Sequence, residues 1–136
     1  MSAYHSQRTI YRDRESLVAA LKAQGYNDVE VHDVAQGLIG YHSDMRNQKA
    51  NVIVRRQHVG SASNDLGWEW DEKAGVFVEH ISDYDKGKHN STWLGHLKAA
   101  YAEAVDMKTA RKNGLQFLGR KVINGKVQLT FVDNRR

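Results

Sequence analysis

The fold is decided by one aromatic-rich segment, Asp65-Leu66-Gly67-Trp68-Glu69-Trp70-Asp71, and by the Val76-Phe77-Val78 run after it. Apolar and polar residues alternate in the segment, which is typical of a half-buried strand. Residues 72–75 separate the two runs, and Gly75 can adopt the positive φ that a four-residue hairpin loop requires. The pattern predicts an antiparallel hairpin with Trp70 opposite Phe77.

A further strand is expected just before this hairpin. Residues 51–59 are rich in β-branched side chains, and residues 60–64 have the composition of a turn. A turn that places His58 opposite Asn64 predicts three arrangements across the new hairpin: Val54 opposite Trp68, Val52 opposite Trp70, and Arg55 diagonal to Glu69. Because opposite residues share a sheet face, both tryptophans are expected in the core and Arg55 in a cross-strand ion pair.

A first helix is predicted over residues 14–24. Asp13 suits its N-cap, and Gly25 suits the C′ position after its last turn. The spacing of its apolar residues predicts the buried side chains: Leu17, Val18 and Leu21. A strand over residues 4–11 is expected before this helix, with Ile10 as its best core candidate.

The longest helix is predicted over residues 91–112, with Asn90 or Ser91 as its N-cap and Gly114 after its end. Its apolar residues recur at three- and four-residue spacing, which predicts the following buried face: Leu94, Leu97, Tyr101, Ala104 and Val105. After it, Asn124-Gly125 is the strongest hairpin signal in the chain. Strands are therefore expected over 115–123 and 126–132.

The predicted order of elements is β-α-β-β-β-β-α-β-β, with an extended segment over 29–41 and a polar loop over 42–49. Because hairpins dominate, the expected fold is α+β, a mainly antiparallel β-sheet with two α-helices packed on one face. The chain has 136 residues, so we expect a single domain over 1–136.

Composition excludes several classes of protein. The chain contains no cysteine, which rules out disulfides and thiolate metal sites. No apolar run approaches the roughly 18 residues of a membrane span, so no membrane partner is expected. A reducing compartment suits this composition: the cytoplasm, a plastid stroma or the cytoplasm of an infected host. The net charge of +4 is a mild bias that permits a polyanionic partner without requiring one.

Several short segments match a known family in order and spacing. They include Arg12-Asp13-Arg14-Glu15-Ser16-Leu17, the Asp65–Trp70 strand, Asp83-Tyr84, Trp93-Leu94 and Gly114-Leu115-Gln116-Phe117. Through these segments the chain resembles the family known as hypothetical chloroplast open reading frame thirty-five, a domain of unknown function in cyanobacteria and plastids with relatives in bacteria and phages. The resemblance implies a compact single domain and carries over no catalytic residue. Members of the family often occur as accessory proteins.

Patterns for catalysis and metal binding are weak. His89 and His96 are seven residues apart, whereas a helical zinc site uses two histidines four apart. The chain has no Gly-x-Ser-x-Gly elbow and no glycine-rich phosphate loop. A third-ranked alternative is an enzyme or metal protein that uses the histidines with Asp83 and Asp85. We expect no enzyme, no catalytic residue, no metal ligand and no cofactor.

Two binding roles are left open by the sequence. The first is an accessory or adaptor protein within a larger protein assembly, with partner-binding residues around the second helix: Tyr84, Trp93 and Tyr101. The alternative is a small basic protein that binds single-stranded DNA or RNA. It would use strand 51–59, the end of helix 91–112 and the cations after it: Arg55, Arg56, His58, Lys108, Arg111, Lys112, Arg120 and Lys121. A homo-oligomer formed through sheet edges is also open.

Overall fold

Antiparallel strand pairs form the framework of the protein, for which a computed structural model describes residues 2–133. Its strands are β1 (Tyr4–Arg8), β2 (Glu30–Ile39), β3 (Met45–Val54), β4 (Leu66–Asp71), β5 (Val76–Ser82), β6 (Leu115–Ile123) and β7 (Lys126–Asp133). Its helices are α1 (Arg14–Ala23), α2 (Arg56–Val59) and α3 (Ser91–Lys112), with a 3₁₀ turn at Asp85–Gly87. The predicted α+β class and element order are confirmed, and the one-turn α2 is an addition.

The strands form two separate sheets. The first has five strands in the order β1-β5-β4-β3-β2, and neighbouring strands are antiparallel. The second consists of β6 and β7 alone. Asn124 and Gly125 both have positive φ, 51° and 75°, so the predicted tight turn between these strands is confirmed. Within residues 2–133, no helix combines the length and apolar character needed to cross a membrane.

Capping residues set both long helices, as predicted. The Asp13 side chain accepts the Ser16 N–H at 3.0 Å, and Gly25 follows α1 with a φ of 99°. The Asn90 side chain accepts the Trp93 N–H at 3.1 Å. The predicted limits of α3 are confirmed, and Gly114 follows it with a φ of 72°.

The main core lies between the five-stranded sheet and the helices α1 and α3. Trp68 is completely buried at its centre. The packed side chains come from both helices and from the central strands: Leu17, Leu21, Leu97, Tyr101, Val52, Val54, Leu66, Phe77 and Ile81. The predicted core role of Ile10 is wrong, because its side chain is 61% exposed. Tyr11 is buried instead and packs against Tyr101 at 4.8 Å between ring centroids.

The predicted register between β3 and β4 is wrong by two residues. Val52 lies opposite Trp68 and Val54 opposite Leu66. The connection between the strands contains α2 and is longer than the predicted turn. Trp70 lies opposite Phe77 as predicted, but it extends past the last β3 partner and is 36% exposed. Its predicted core position is therefore also wrong.

Asp65 is the physical reason why β3 ends early. Its fully buried carboxylate accepts the Arg56 N–H at 2.7 Å, the Ile39 N–H at 2.7 Å and the Arg55 guanidinium at 2.8 Å. These contacts turn the chain at Arg55, so the strand predicted through Val59 stops at Val54. The expected pair between Arg55 and Glu69 is wrong, because Arg55 binds Asp65 and Glu30.

The predicted loop over 42–49 is also wrong, because β3 begins at Met45 and pairs with the edge strand β2. One side of that hairpin faces solvent, so polar residues are tolerated there and hide the strand pattern. A second, small apolar cluster of Leu38, Ala50 and Ile53 covers part of the sheet face opposite the helices. A Cβ at Gly67 would lie only 2.7–2.9 Å from Ala50 and Leu38, so the cluster packs directly on this glycine.

Candidate partner-binding site

A shallow pocket forms where the turn between β2 and β3 meets the segment before β4. The turn is closed by the Gly40 N–H, which donates to the Asp44 carbonyl at 2.8 Å, and by Ser43 with a φ of 63°. The Tyr41 N–H donates to Asn64 Oδ1 at 2.9 Å, which fastens the turn to the neighbouring segment. The backbone of the pocket wall is therefore held from two sides.

A buried polar network fixes Asn64 in turn. Its N–H donates to Asp85 Oδ2 at 2.9 Å, and its side-chain amide donates to Ser82 Oγ at 2.8 Å. The Ser82 hydroxyl donates to Asp85 Oδ2 at 2.9 Å, and all three residues are buried. Because Asp85 begins the 3₁₀ turn, Tyr84 just before it is left at the surface with 57% of its area exposed.

The pocket has a volume of about 220 Å³ and is called here the Tyr41–Tyr84 pocket. Its principal lining residues are Tyr41, His42, Asp44, Arg46, Asn64 and Tyr84. Pockets for small molecules begin at roughly 300 Å³. The Tyr41–Tyr84 pocket is smaller than that, so it suits one amino-acid side chain better than a cofactor.

One carboxylate of the pocket has unused hydrogen-bonding capacity. Asp44 Oδ2 lies 3.8 Å from Arg46 Nε, whereas Asp44 Oδ1 is buried without a hydrogen-bond partner among the described residues. At the pocket border, the Arg46 guanidinium lies over the Tyr4 ring at 5.1 Å and the Arg56 guanidinium over the Tyr41 ring at 5.6 Å. The Asp44 side chain is 32% exposed, so its charge favours a cationic hydrogen-bond donor in the pocket although Oδ1 itself is covered.

The three predicted partner-binding residues are not equally accessible. Tyr84 lines the pocket and is exposed. Trp93 is half-buried against the core. Tyr101 is only 7% exposed, and its hydroxyl accepts the backbone N–H groups of Arg12 and Asp13 at 2.9 and 3.0 Å. Tyr101 therefore holds the start of α1 to α3 and is not available to a partner.

Trp93 belongs to a cluster of rings at the start of α3. It meets His89 edge-on at 4.5 Å and Tyr26 at 6.2 Å between ring centroids. The Tyr26 hydroxyl lies 2.6 Å from His89 Nε2, and burial lowers the pKa of His89 below its ordinary value. Packing explains these three rings, so Tyr84 is the one predicted partner residue on an open surface.

The cations predicted at strand 51–59 are engaged within the protein. The Arg55 guanidinium contacts Glu30 at 3.0 Å and Asp65 at 2.8 Å; burial alone would lower the pKa of Arg55, but these hydrogen bonds raise it. Arg56 donates from its guanidinium to two carbonyls of the 60–64 segment. His58 lies 3.8 Å from the Asp28 carboxylate. Arg55 and His58 therefore lie beside carboxylates, and Arg56 is held by backbone carbonyls, in this predicted nucleic-acid surface.

The cations at the end of α3 also have acidic partners. Lys108 Nζ lies 2.7 Å from Asp13 and 3.3 Å from Glu15, and Glu15 also contacts Arg111 at 3.4 Å. Burial alone would raise the pKa of Asp13, but hydrogen bonds from Lys108 and Ser16 hold it below its usual value. In the β6–β7 hairpin, Arg120 contacts Glu103 at 2.7 Å. Lys112 and Lys121 are exposed.

A hydrogen-bonded row of side chains crosses the sheet on strands β1, β5 and β4. Ser6 Oγ lies 2.6 Å from His80 Nδ1, and His80 Nε2 lies 2.9 Å from Glu69 Oε1. The sequence did not indicate this row, since the three residues are far apart in the chain. We interpret it as a cross-strand polar network.

The carboxylates and histidines that suggested metal binding are dispersed. His5 contacts Asp83, whereas Asp85 belongs to the network beneath Asn64. Within residues 2–133, no group of three histidine, aspartate or glutamate side chains is placed to hold a metal ion. Sequence reasoning missed Tyr41 and Arg46, because it assigned a loop to 42–49 and the pocket forms only when that hairpin folds beside Asn64.

Comparison with known proteins identifies a family without an assigned role. A family model described as "Protein of unknown function (DUF1257)" matches residues 16–130. Searches of curated proteins and of solved structures found no match. The Tyr41–Tyr84 pocket lies within the matched span except for its Ser2 wall.

Proposed function

Since the chain belongs to the DUF1257 family of unknown function, we propose from its geometry that it acts by binding, as an accessory protein within a protein assembly. The observation that carries the proposal is the Tyr41–Tyr84 pocket. It has two exposed rings on a wall held by buried hydrogen bonds, and it contains the Asp44 carboxylate, whose side chain is 32% exposed. A rigid concave surface of this size favours one projecting anchor from a partner protein.

The chemistry of the pocket selects the kind of anchor. The exposed rings of Tyr41 and Tyr84 offer apolar contact area, and the partly exposed Asp44 carboxylate favours a hydrogen-bond donor, above all a cationic one. Arginine, tyrosine and tryptophan combine a large apolar body with a terminal donor, and these residues dominate interface hot spots. We propose that the partner inserts one such side chain.

The proposal also covers the nearest members of the family and the compartment of the protein. The segments that resemble the cyanobacterial and plastid family support placing the chain near those members. The absence of cysteine supports the cytoplasm, a plastid stroma or an infected host cytoplasm as the compartment. We assign no catalytic residue and no cofactor.

Peptide display tests the proposal and does not require the identity of the partner. Random peptides would be selected on the immobilised protein and then measured by fluorescence anisotropy against two variants. Tyr84→Ala is expected to weaken the selected peptides by about tenfold or more, as truncation of a hot-spot contact does. Val34→Ala removes another exposed apolar side chain, on β2, and is expected to leave their affinity unchanged.

The selected sequences provide a second readout. They are expected to share an arginine, tyrosine or tryptophan, and Asp44→Asn should weaken arginine-bearing peptides most, because it removes the charge that favours a cation. Equal binding to wild type and Tyr84→Ala would contradict the proposal. So would a failure to select any peptide.

Nucleic-acid binding is the weaker alternative, because carboxylates contact Arg55, Lys108, Arg111 and Arg120. We expect no binding of labelled single-stranded DNA or RNA at about 50 mM salt, where phosphate contacts are strongest. Micromolar binding that falls steeply at about 200 mM salt would instead favour this alternative.

A further inference from the structure

Strand β1 is an outer strand of the five-stranded sheet and has β5 as its one neighbour there. Its residues Tyr4–Arg8 pair with β5 in one continuous register. The other outer strand, β2, is interrupted by two register shifts, which distort its free edge. Of the two free edges of this sheet, β1 therefore presents the more regular one.

The backbone groups on the free side of β1 follow from those that bond to β5. Just after the strand, the Thr9 N–H donates to the Phe77 carbonyl at 3.0 Å. Peptide groups of an antiparallel strand alternate in direction, so the odd-numbered residues of β1 also bond to β5. The N–H and carbonyl groups of Tyr4, Ser6 and Arg8 therefore point away from the sheet, where they can pair with an added strand.

A groove lies beside the end of this edge, between the segment 7–11 and α3, and is called here the β1–α3 groove. It has a volume of about 230 Å³, and its lining includes Arg8, Ile10, Leu94 and Lys98. The Ile10 side chain is 61% exposed, and Leu94 is half-buried. Leu94 and Lys98 are four residues apart in α3, so they lie on one face of the helix. The groove therefore offers apolar area next to the free edge.

The accessible charges of the β1–α3 groove are positive. Arg8 and Lys98 are exposed, and neither forms an ion pair with a carboxylate of the described residues. Glu79 also lines the groove but is buried, and its two oxygens accept the Gln7 side-chain amide at 2.9 Å and the Trp68 indole N–H at 3.0 Å. An acidic group from outside the chain is therefore favoured beside the two cations.

We propose that the free edge of β1 binds an extended acidic segment of a partner protein, which adds a strand to the sheet. The outward backbone groups of β1 supply the hydrogen bonds, and the side chains of the segment supply the specificity. Arg8 shares the sheet face of Ser6, whereas Lys98 belongs to α3, which packs on the other face. Because side chains of an added strand alternate between the faces, acidic residues on either face meet a cation. This inference does not depend on the Tyr41–Tyr84 pocket.

Fluorescence anisotropy with two labelled peptides of opposite charge tests the proposal. One peptide of about eight residues alternates valine and glutamate, and its control has lysine in place of glutamate. Both would be titrated with protein up to about 500 µM in about 150 mM salt, which screens distant charges. The glutamate peptide is expected to bind, and the lysine peptide is expected to bind at least about tenfold more weakly.

Two substitutions of one residue separate strand addition from other contacts. Ser6→Pro removes an outward N–H that β5 does not use, so it should weaken binding of the glutamate peptide by about tenfold or more. Ser6→Ala removes the hydroxyl that contacts His80 but keeps the N–H, and it should bind the peptide like wild type. Circular dichroism would show whether both variants fold.

A second pair of variants tests the charge and also serves if Ser6→Pro does not fold. Lys98→Glu should weaken binding of the glutamate peptide by about threefold or more, because it places a like charge beside the added strand. Lys112→Glu makes the same change at the exposed end of α3, outside the groove, and should leave the affinity unchanged.

Each of four results would overturn the proposal. The first is a glutamate peptide that does not bind at the highest protein concentration, and the second is equal binding of the two peptides. The third is equal affinity of folded Ser6→Pro and Ser6→Ala. The fourth is a wild-type dimer in sedimentation velocity that Ser6→Pro abolishes, which would assign the edge to a second copy of the chain. Binding lost in Ser6→Pro and weakened in Lys98→Glu, but kept in their controls, would support it.

Discussion

The five-stranded sheet and the two-stranded sheet of β6 and β7, called here the ribbon, differ in how far their apolar side chains are buried. In the sheet, Val52, Leu66 and Trp68 are fully buried beneath α1 and α3. In the ribbon, Val122 is more than half exposed although it also belongs to a regular strand pair. The same strand chemistry therefore contributes to the folded core in one region and stays largely exposed at the end of the other.

The difference follows from what each region packs against. Two long helices cover one sheet face, whereas a single helix touches only part of the ribbon. Substitutions in the buried part of the sheet should therefore lower the free energy of unfolding far more than substitutions near the end of the ribbon. The following predictions test this difference.

Trp68→Ala is expected to have the largest effect. Removing a completely buried indole should lower the free energy of unfolding by about 3–5 kcal/mol. Trp70→Ala is the matched control, because its side chain is 36% exposed and its main ring contact is with Phe77 at 5.1 Å. Loss of its covered area and of the ring pair should together cost roughly 1–2 kcal/mol. Urea denaturation measures both, and equal losses would contradict the assignment of Trp68 to the core.

Asp65→Asn is expected to have the second-largest effect, again within the five-stranded sheet. The substitution removes one of the two carboxylates that contact the partly buried Arg55 guanidinium, leaving Glu30, and it disturbs the N–H groups of Ile39 and Arg56. A loss of roughly 3 kcal/mol is expected. Asp33→Asn serves as the control, since the Asp33 side chain is 93% exposed, and it should change stability little.

His89, buried just before α3, should make the free energy of unfolding depend on pH, with a smaller effect. Because burial lowers its pKa in the folded protein, the unfolded chain binds this proton first as the pH falls. Stability should therefore decrease as the pH drops below about 6.5. His89→Gln should remove this part of the slope between about pH 7 and 5, whereas the exposed His96→Gln should keep it. Unchanged slopes in both variants would contradict the role of His89.

Val122→Ala should have the smallest effect on unfolding. Its side chain is 58% exposed, so the free energy of unfolding should change by less than about 0.5 kcal/mol. A loss comparable with that of Trp68→Ala would show that the end of the ribbon near Asn124 contributes to the folded core, and the difference between the two regions would be contradicted. Urea denaturation measures the loss.

Local signals were enough to predict α1, α3 and the last hairpin. Asp13 and Asn90 satisfy the first N–H groups of their helices, and Asn124-Gly125 supplies the positive φ values of the turn. Such effects depend on a few neighbouring residues, so they can be read from one sequence. The buried position of Trp68 was also predictable, because strand alternation fixes which residues share a face.

Contacts between distant residues account for the errors. Asp65 accepts hydrogen bonds from residues 9 to 26 positions away, and those contacts end β3 early and shift its register with β4. The polar first half of β3, which begins at Met45, has no alternation of apolar and polar residues that would predict a strand. A carboxylate in a turn-like sequence does not reveal that it will be buried, so these outcomes could not be inferred from local composition.

The candidate site was only partly predictable for the same reason. Tyr84 was named from its position in a polar connector, but its neighbours Tyr41 and Asp44 come from a hairpin some forty residues earlier. Tyr101 was misjudged because helical spacing shows which face is buried but not that its hydroxyl would hold Arg12 and Asp13. The predicted cations are spread over several segments, and their acidic partners were not foreseen.

Hydrogen–deuterium exchange tests most directly whether the five-stranded sheet is more stable than the ribbon. Amides of the β4–β5 pair are expected to exchange slowest, because they belong to strands that pack in the buried core. Amides of β6 and β7 should exchange faster, since a strand pair with exposed side chains opens at a lower free energy. Equal protection of the two regions would contradict the account.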